Sequence, residues 1–248
     1  MALKRVWHNI GLLWFLSVMG VMGIGQAFYP SVSFAQLQAV SASSVTHRAP
    51  TVLLMGDSLS AAYGLDVAQG WGNLLQQKLL SASATNKKSV NVVNASISGE
   101  TTSGGKARLE ALMQAHKPSV LVLELGANDA LRGQSLAATE QNLHSMMALC
   151  APTRFNCQVV LLGVKLPTNY GPAYDNEFKN MYARLAQTFK LPVGERFDAF
   201  FLEPVALDPT LMQADGLHPN AAAQPIILAR VWPLIEHALH AAFKAVPR

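Results

Sequence analysis

Three side chains in this sequence can together make a hydroxyl nucleophilic: Ser58 in Gly56-Asp57-Ser58-Leu59-Ser60, with Asp215 and His218 in Asp215-Gly216-Leu217-His218. A serine hydroxyl attacks poorly until a base takes its proton, and an imidazole does so best when a carboxylate holds its other nitrogen. The Asp-x-x-His spacing lets one loop bring the carboxylate back onto the ring. Acyl transfer also needs donors for the charge that develops on the carbonyl oxygen. The backbone amides of Ser58 and Gly99 and the side-chain amide of Asn128, in Gly126-Ala127-Asn128-Asp129, are the candidates. Gly99 suits that role because no side chain keeps its amide away from a substrate. Leu166, Pro167 and Tyr170, in the segment Lys165 to Pro172, are candidate substrate contacts that would shelter an acyl chain. Taken singly, each motif has a plain reading. Asp57 and Ser58 serve as a helix cap, Gly126 to Asp129 as a strand-exit turn, Gly99 as a turn glycine, Asp215-Gly216 as a turn pair and His218 as a capping or surface residue. Their occurrence together, in one chain order, is what points to a site.

The elements that must position these residues follow from the apolar pattern. Val52 to Met55, Val90 to Asn94, Val120 to Leu125 and Val159 to Val164 are short apolar runs that read as strands, with a weaker candidate between Leu191 and Phe200. Between them lie helical patterns. Trp71, Leu74, Leu75 and Leu79 share one face; Ala107, Leu109, Leu112 and Met113 another, ending before Pro118; Leu136, Leu143, Met147 and Cys150 a third; Tyr174, Phe178, Met181, Leu185 and Phe189 a fourth. Phe201 to Leu207 is a short helical piece. A last helix, capped by Asn220 and carrying Trp232, Ile235 and Leu239, reaches about Ala242, with Pro233 expected to kink it. Strands that alternate with helices and read as unbroken apolar runs indicate a parallel sheet covered on both faces. Right-handed crossovers then bring the loops holding Ser58, Gly99, Asn128 and Lys165 to Gly171 to one carboxyl edge.

Composition narrows the setting. With half of its 248 residues apolar, the chain can bury one full core. A formal net charge of +4, two units of which come from Lys4 and Arg5, is too weak and scattered for nucleic-acid binding. Lys4 and Arg5 precede an apolar run from Ile10 to Gly25, and Ser33-Phe34-Ala35 offers small residues three and one before a cut. That order is a secretory leader over residues 1–35, the run being shorter than the roughly 20 residues of a membrane span. A flexible tail over residues 36–49 and one domain over residues 50–248 are expected to follow, in the periplasm or outside the cell, with no stable membrane anchor after cleavage. Export fits the cysteines. Cys150 and Cys157 are spaced to close a small loop in an oxidising compartment. No metal is expected: the two cysteines lack nearby histidines, and Glu236, His237 and His240 make a poor ligand set. The histidines at 116, 144, 237 and 240 lie on helical stretches without an aspartate at comparable spacing.

The four blocks Gly56 to Ser60, Gly99, Gly126 to Asp129 and Asp215 to His218 resemble those of the GDSL, or SGNH, hydrolases, over nearly all of the chain from Thr51 to Trp232. The resemblance implies a three-layer α/β/α sandwich with a five-stranded parallel sheet, flavodoxin-like in type. It implies a catalytic triad of Ser58, Asp215 and His218, an oxyanion hole of Ser58, Gly99 and Asn128, and no cofactor. The implied substrates are small acyl esters and thioesters, lysophospholipids among them. Ala127 stands where the family often has a second glycine, and Pro233 and the cysteine pair are not part of its pattern. An α/β-hydrolase is disfavoured, since Gly-x-Ser-x-Gly would need glycine at position 60, which is Ser60. The alternatives are a carbohydrate O-deacetylase of the same family and a non-catalytic lipid or acyl carrier.

Overall fold

In the computed structural model, described for residues 49–86, 89–166 and 170–245, the apolar runs form five strands. The expected leader, all but the last residue of the expected tail, and Pro167 lie outside the described residues. Strands β1 (Thr51–Gly56), β3 (Val120–Glu124) and β4 (Gln158–Leu162) are buried along almost their whole length. That burial on both faces is why their sequences are continuous rather than alternating. β2 (Asn91–Asn94) lies at an edge, where its residues are exposed or half-buried. β5 (Phe197–Asp198) is only two residues long, because Pro192 and Gly194 make a turn, closed by the Glu195 and Arg196 amides on the Pro192 carbonyl. The weak strand candidate from Leu191 to Phe200 therefore shrinks to the pair that meets Leu161 and Leu162.

All strands are parallel, in the order β2-β1-β3-β4-β5. The chain leaves β1 toward β2 on one side and then crosses back to β3 on the other. β1 and β3 are thus the neighbours whose following loops diverge, and the crevice between those loops is where open parallel sheets bind ligands. Ser58 follows β1 and Asn128 follows β3. The sheet is covered by α1 (Trp71–Asn86) packed with the C-terminal helix, and by α2 (Thr102–His116), α4 (Leu136–Ala148) and α5 (Pro172–Thr188), packed in series. This is the three-layer α/β/α arrangement.

Two elements differ from the sequence pattern in ways that bear on the site. Gly126 to Asp129 is not a simple turn: Ala127–Leu131 forms one turn of helix, α3, directly after Gly126. Gly126 has φ +127°, and a Cβ there would lie 2.5 Å from the Tyr182 hydroxyl, so glycine is required. Ala127 is already helical with negative φ, which removes any need for a second glycine. Asn220 caps not the last helix but a short 3-10 turn, Ala221–Ala223, accepting from the Ala222 and Ala223 amides. That turn runs into α7 (Gln224–Ala245), which continues through Pro233. The small helix α6 (Glu203–Ala206) precedes this region.

Cys150 and Cys157 form a disulfide across the α4–β4 connection. Closing so short a loop restricts the unfolded chain by about 2.5 kcal/mol on the chain-entropy account. The bridge lies among core residues, on a connection separate from those carrying Ser58 and His218. Reduction is expected to lower the melting temperature by roughly 5 to 10 °C while hydrolysis at 25 °C persists. Unchanged melting on reduction, read by calorimetry with thiol titration as the control, would show that the bridge adds nothing.

Candidate active site

The β1 exit is a tight turn in which the Ser60 and Ala61 amides donate to the Asp57 carbonyl and the Tyr63 amide to that of Ser58. Ser58 is half-buried there, between a fully buried Asp57 and a largely buried Leu59. The loop after β2 is drawn along the same edge by the Ile97 amide, which donates to the Gly56 carbonyl at 3.1 Å. Gly99 in that loop has φ +77°, a left-handed conformation that favours glycine, and its carbonyl accepts from Arg132 Nη2 at 2.9 Å. Arg132 follows α3, so a single guanidinium joins the β2 and β3 exits.

His218 arrives on a loop that is closed on itself. Met212 and Pro219 pair in an antiparallel bridge, the Gln213 amide donates to the His218 carbonyl at 2.7 Å, and Gln213 Nε2 donates to the carbonyls of Pro219 and, at 2.8 Å, of Tyr63. Gln213 therefore ties the histidine loop to the serine loop. Asp215 Oδ1 accepts from the backbone amides of Leu217 and His218, while its Oδ2 lies 2.6 Å from His218 Nδ1. These three donors, led by the His218 amide, hold the Asp215 carboxyl down to about 2. An ionised carboxylate can only accept, so the proton sits on Nδ1 and the Nε2 lone pair faces outward. Nε2 lies 2.9 Å from Ser58 Oγ. The Tyr63 ring stacks at a tilt on the imidazole, centroids 4.5 Å apart, and covers one of its faces.

Asn128 Nδ2 donates to Asp57 Oδ2 at 3.0 Å, which brings the β3 exit against the β1 exit. Beneath them Glu124, at the end of β3, accepts from the Ser60 hydroxyl at 2.9 Å and the Asp57 amide at 3.3 Å. Both carboxyls are fully buried. Burial raises Asp57 to about 6, and burial together with the Asp57 charge raises Glu124 well above the carboxylate range. Asp129 faces the other way, accepting from the amide and hydroxyl of Thr102 and so anchoring the start of α2.

A cleft of about 430 Å³ opens at Ser58 and His218. Apart from Asp57, Lys165 and Glu203 its wall is mostly apolar, with Leu131, Leu166, Phe200, Leu202, Leu207 and Met212 prominent. Leu166 is buried in that wall. Tyr170 is not part of it: its hydroxyl donates to the Leu131 carbonyl at 3.5 Å and its ring stacks on Tyr174. Ser58, Asp215 and His218 are thus joined directly, and Asn128 reaches them through Asp57. Gly99 is linked to the same edge by its loop and Arg132. Among the described residues no three of His, Cys, Asp and Glu are grouped to hold a metal, and His237 instead meets Glu195 at 3.3 Å.

The supporting residues Gln213, Arg132 and Glu124 were not found from the sequence. Only Glu124 carried a signal there, a carboxylate ending an otherwise apolar strand. Chemically, the arrangement can pass a hydroxyl proton from Ser58 to His218 while a carbonyl lies in an apolar cleft.

A sequence model of the GDSL-like lipase/acylhydrolase family matches residues 54–225. The chain is 47% identical over 188 residues to the esterase TesA of Pseudomonas aeruginosa, covering 76% of this chain and 89% of that protein. To the thioesterase 1/protease 1/lysophospholipase L1 of Escherichia coli K12 it is 40% identical over 193 residues, 76% of this chain and 86% of that one. The crystal structure of the psychrotrophic esterase EstA from Pseudoalteromonas sp., inhibited by monoethylphosphonate, superimposes with a TM-score of 0.68 at 36% identity, covering 77% of this chain and 98% of that one.

Proposed function

Because the chain belongs to the GDSL-like lipase/acylhydrolase family and is an ester and thioester hydrolase of that type, we propose that Ser58 is its nucleophile, His218 its general base and Asp215 the group that orients the base. The observation that carries this reading is the chain of contacts from Asp215 through His218 to Ser58 Oγ, at 2.6 and 2.9 Å, at the mouth of an apolar cleft. Ser58 Oγ bonds to the acyl carbon as its proton passes to His218 Nε2, and the carbonyl electron pair moves onto oxygen. The Ser58 and Gly99 amides and the Asn128 carboxamide stabilise that oxyanion. Collapse breaks the bond to the alcohol or thiol, which leaves with the proton from His218. Water then attacks the acyl-enzyme, giving its proton to His218, and the acid departs as Ser58 is restored. No step calls for a metal or cofactor.

The substrates proposed are acyl esters and thioesters recognised by their acyl side, lysophospholipids among them. An inhibiting phosphonate in the Pseudoalteromonas relative fits a nucleophile of this kind, since a tetrahedral phosphorus imitates the intermediate. A sugar O-deacetylase would need donors and acceptors for several hydroxyls, and the mostly apolar wall argues against that alternative. Residues 50–248 would form the hydrolase domain, delivered to the periplasm or beyond by a leader over residues 1–35.

A series of p-nitrophenyl esters from acetyl to palmitoyl tests the acyl-side reading. Each buried methylene contributes up to about 0.8 kcal/mol, so kcat/KM is expected to rise by up to about four-fold per methylene until the cleft is filled. Leu166→Ser should flatten that slope and leave acetyl-ester turnover nearly intact. A maximum at acetyl with a fall at every added carbon would overturn it in favour of the deacetylase.

A further inference from the structure

The proposed triad and oxyanion hole leave one buried group beside the nucleophile without a role. Asp57 precedes Ser58, is 1% exposed, and spends its carboxylate on two donors: the Leu59 amide at 3.0 Å and the Asn128 carboxamide at 3.0 Å. A carboxamide has two chemically opposite ends, and Asn128 serves as an oxyanion donor only if its NH2 end faces the cleft. Nothing in the side chain itself selects that orientation. A carboxylate does, because it accepts and never donates.

We propose that Asp57 is a positioning residue for the oxyanion hole: its carboxylate fixes the Asn128 carboxamide in the donor orientation by taking one N–H, leaving the second N–H of the same nitrogen for the substrate oxyanion. This inference rests on Asn128 being an oxyanion donor. Glu124 supports the arrangement from below. It accepts from the Asp57 amide and the Ser60 hydroxyl, fixing the backbone of the turn from which Asp57 projects. Gly56 makes room for it, since a Cβ at that position would lie 2.7 Å from Glu124 Oε2. Two buried carboxylates at this spot would repel each other, and the stronger displacement of Glu124 makes it the member that keeps a proton. Asp57, raised only to about 6, remains the charged member above neutral pH. In a neutral amide at position 57 the Leu59 N–H claims the oxygen, so the NH2 end meets Asn128 and no longer holds its carboxamide in the donor orientation. The selection is then lost without any change of size.

The test compares wild type, Asp57→Asn, Asn128→Ala and the double variant on p-nitrophenyl butyrate at pH 8, with urea unfolding to confirm that each folds. Asp57→Asn is expected to lower kcat by about 10- to 100-fold, less than Asn128→Ala, with KM within about two-fold. In the Asn128→Ala background the same change should cost no more than about two-fold, because the group being positioned is already gone. If Asp57→Asn does not fold, Asp57→Ser replaces it: a serine hydroxyl still accepts from the Leu59 amide but falls short of Asn128, and the same losses are expected. Unchanged kcat in a folded Asp57 variant, a change confined to KM, or losses that multiply in the double variant would each overturn the positioning role. Should Asn128→Ala itself leave kcat unchanged, the oxyanion assignment of Asn128 fails instead, and the two failures are read from different variants.

Discussion

Exchange of Ser58 for alanine is expected to lower kcat by about 10⁴- to 10⁶-fold, and His218→Gln by a similar factor. The two losses should not multiply, because the groups act on one proton in one step: once the hydroxyl is gone the imidazole has nothing to accept. The residual rate would come from the cleft and the oxyanion donors alone. A fluorophosphonate should form one adduct, on Ser58, and none in the alanine variant. Mass spectrometry placing the adduct on another residue, or more than about one part in a hundred of the activity remaining, would remove Ser58 from the role. Asp215→Asn should also be costly, because an amide can present an N–H to Nδ1 and so favour the wrong tautomer. The pH dependence of activity separates Asp215 from the base it is proposed to orient. Its carboxyl is held at about 2, so it stays ionised at every higher pH and adds no step to the profile there. Loss of activity on the acid side of neutrality then belongs to other groups, and Asp215→Asn should reduce the plateau without removing an acid limb.

The fold and the proposed reacting residues were legible in the sequence for a common reason: both are set by short-range pattern. Buried parallel strands must be apolar on both faces, so β1, β3 and β4 declare themselves, and the residues that follow them fall at one edge by topology alone. The single-turn α3 was less legible. Its helix depends on Gly126 taking φ +127° beneath Tyr182, and Tyr182 lies far away in the chain. β5 shrank because Pro192 and Gly194 compete with strand pairing over most of the apolar stretch around them. Among candidate contacts, Leu166 lies in the cleft wall while Tyr170 is drawn off to Leu131 and Tyr174, since an aromatic hydroxyl on a loop follows whichever acceptor the neighbouring element offers. The residues that hold the site together were silent for the same reason. Gln213 bridges to Tyr63, Arg132 to Gly99 and Asp57 to Asn128, and each contact joins loops that are far apart in sequence and brought to one edge only by the folded sheet.

Asn128→Ala is expected to lower kcat by about 10²- to 10³-fold, roughly 2.7 to 4 kcal/mol of transition-state stabilisation, with KM little changed. The asymmetry follows from when the charge appears. A ground-state ester carbonyl accepts only weakly from the carboxamide, whereas the oxyanion of the tetrahedral intermediate carries nearly a full charge into a cleft with mostly apolar walls. Removing the donor therefore raises the barrier without weakening the encounter. Truncation leaves the backbone intact, because α3 is held through Gly126 and through Asp129 on Thr102, neither of which needs the Asn128 side chain. Asn128→Asp should be worse than alanine. It keeps the shape, but in place of a donor it sets a carboxylate against that of Asp57, where the wild-type contact is 3.0 Å, and against the developing oxyanion as well. Kinetics on p-nitrophenyl butyrate decide the matter. A rise in KM with kcat preserved would make Asn128 a ground-state binder of the ester, and an aspartate variant as active as the alanine one would show that no negative charge develops beside it.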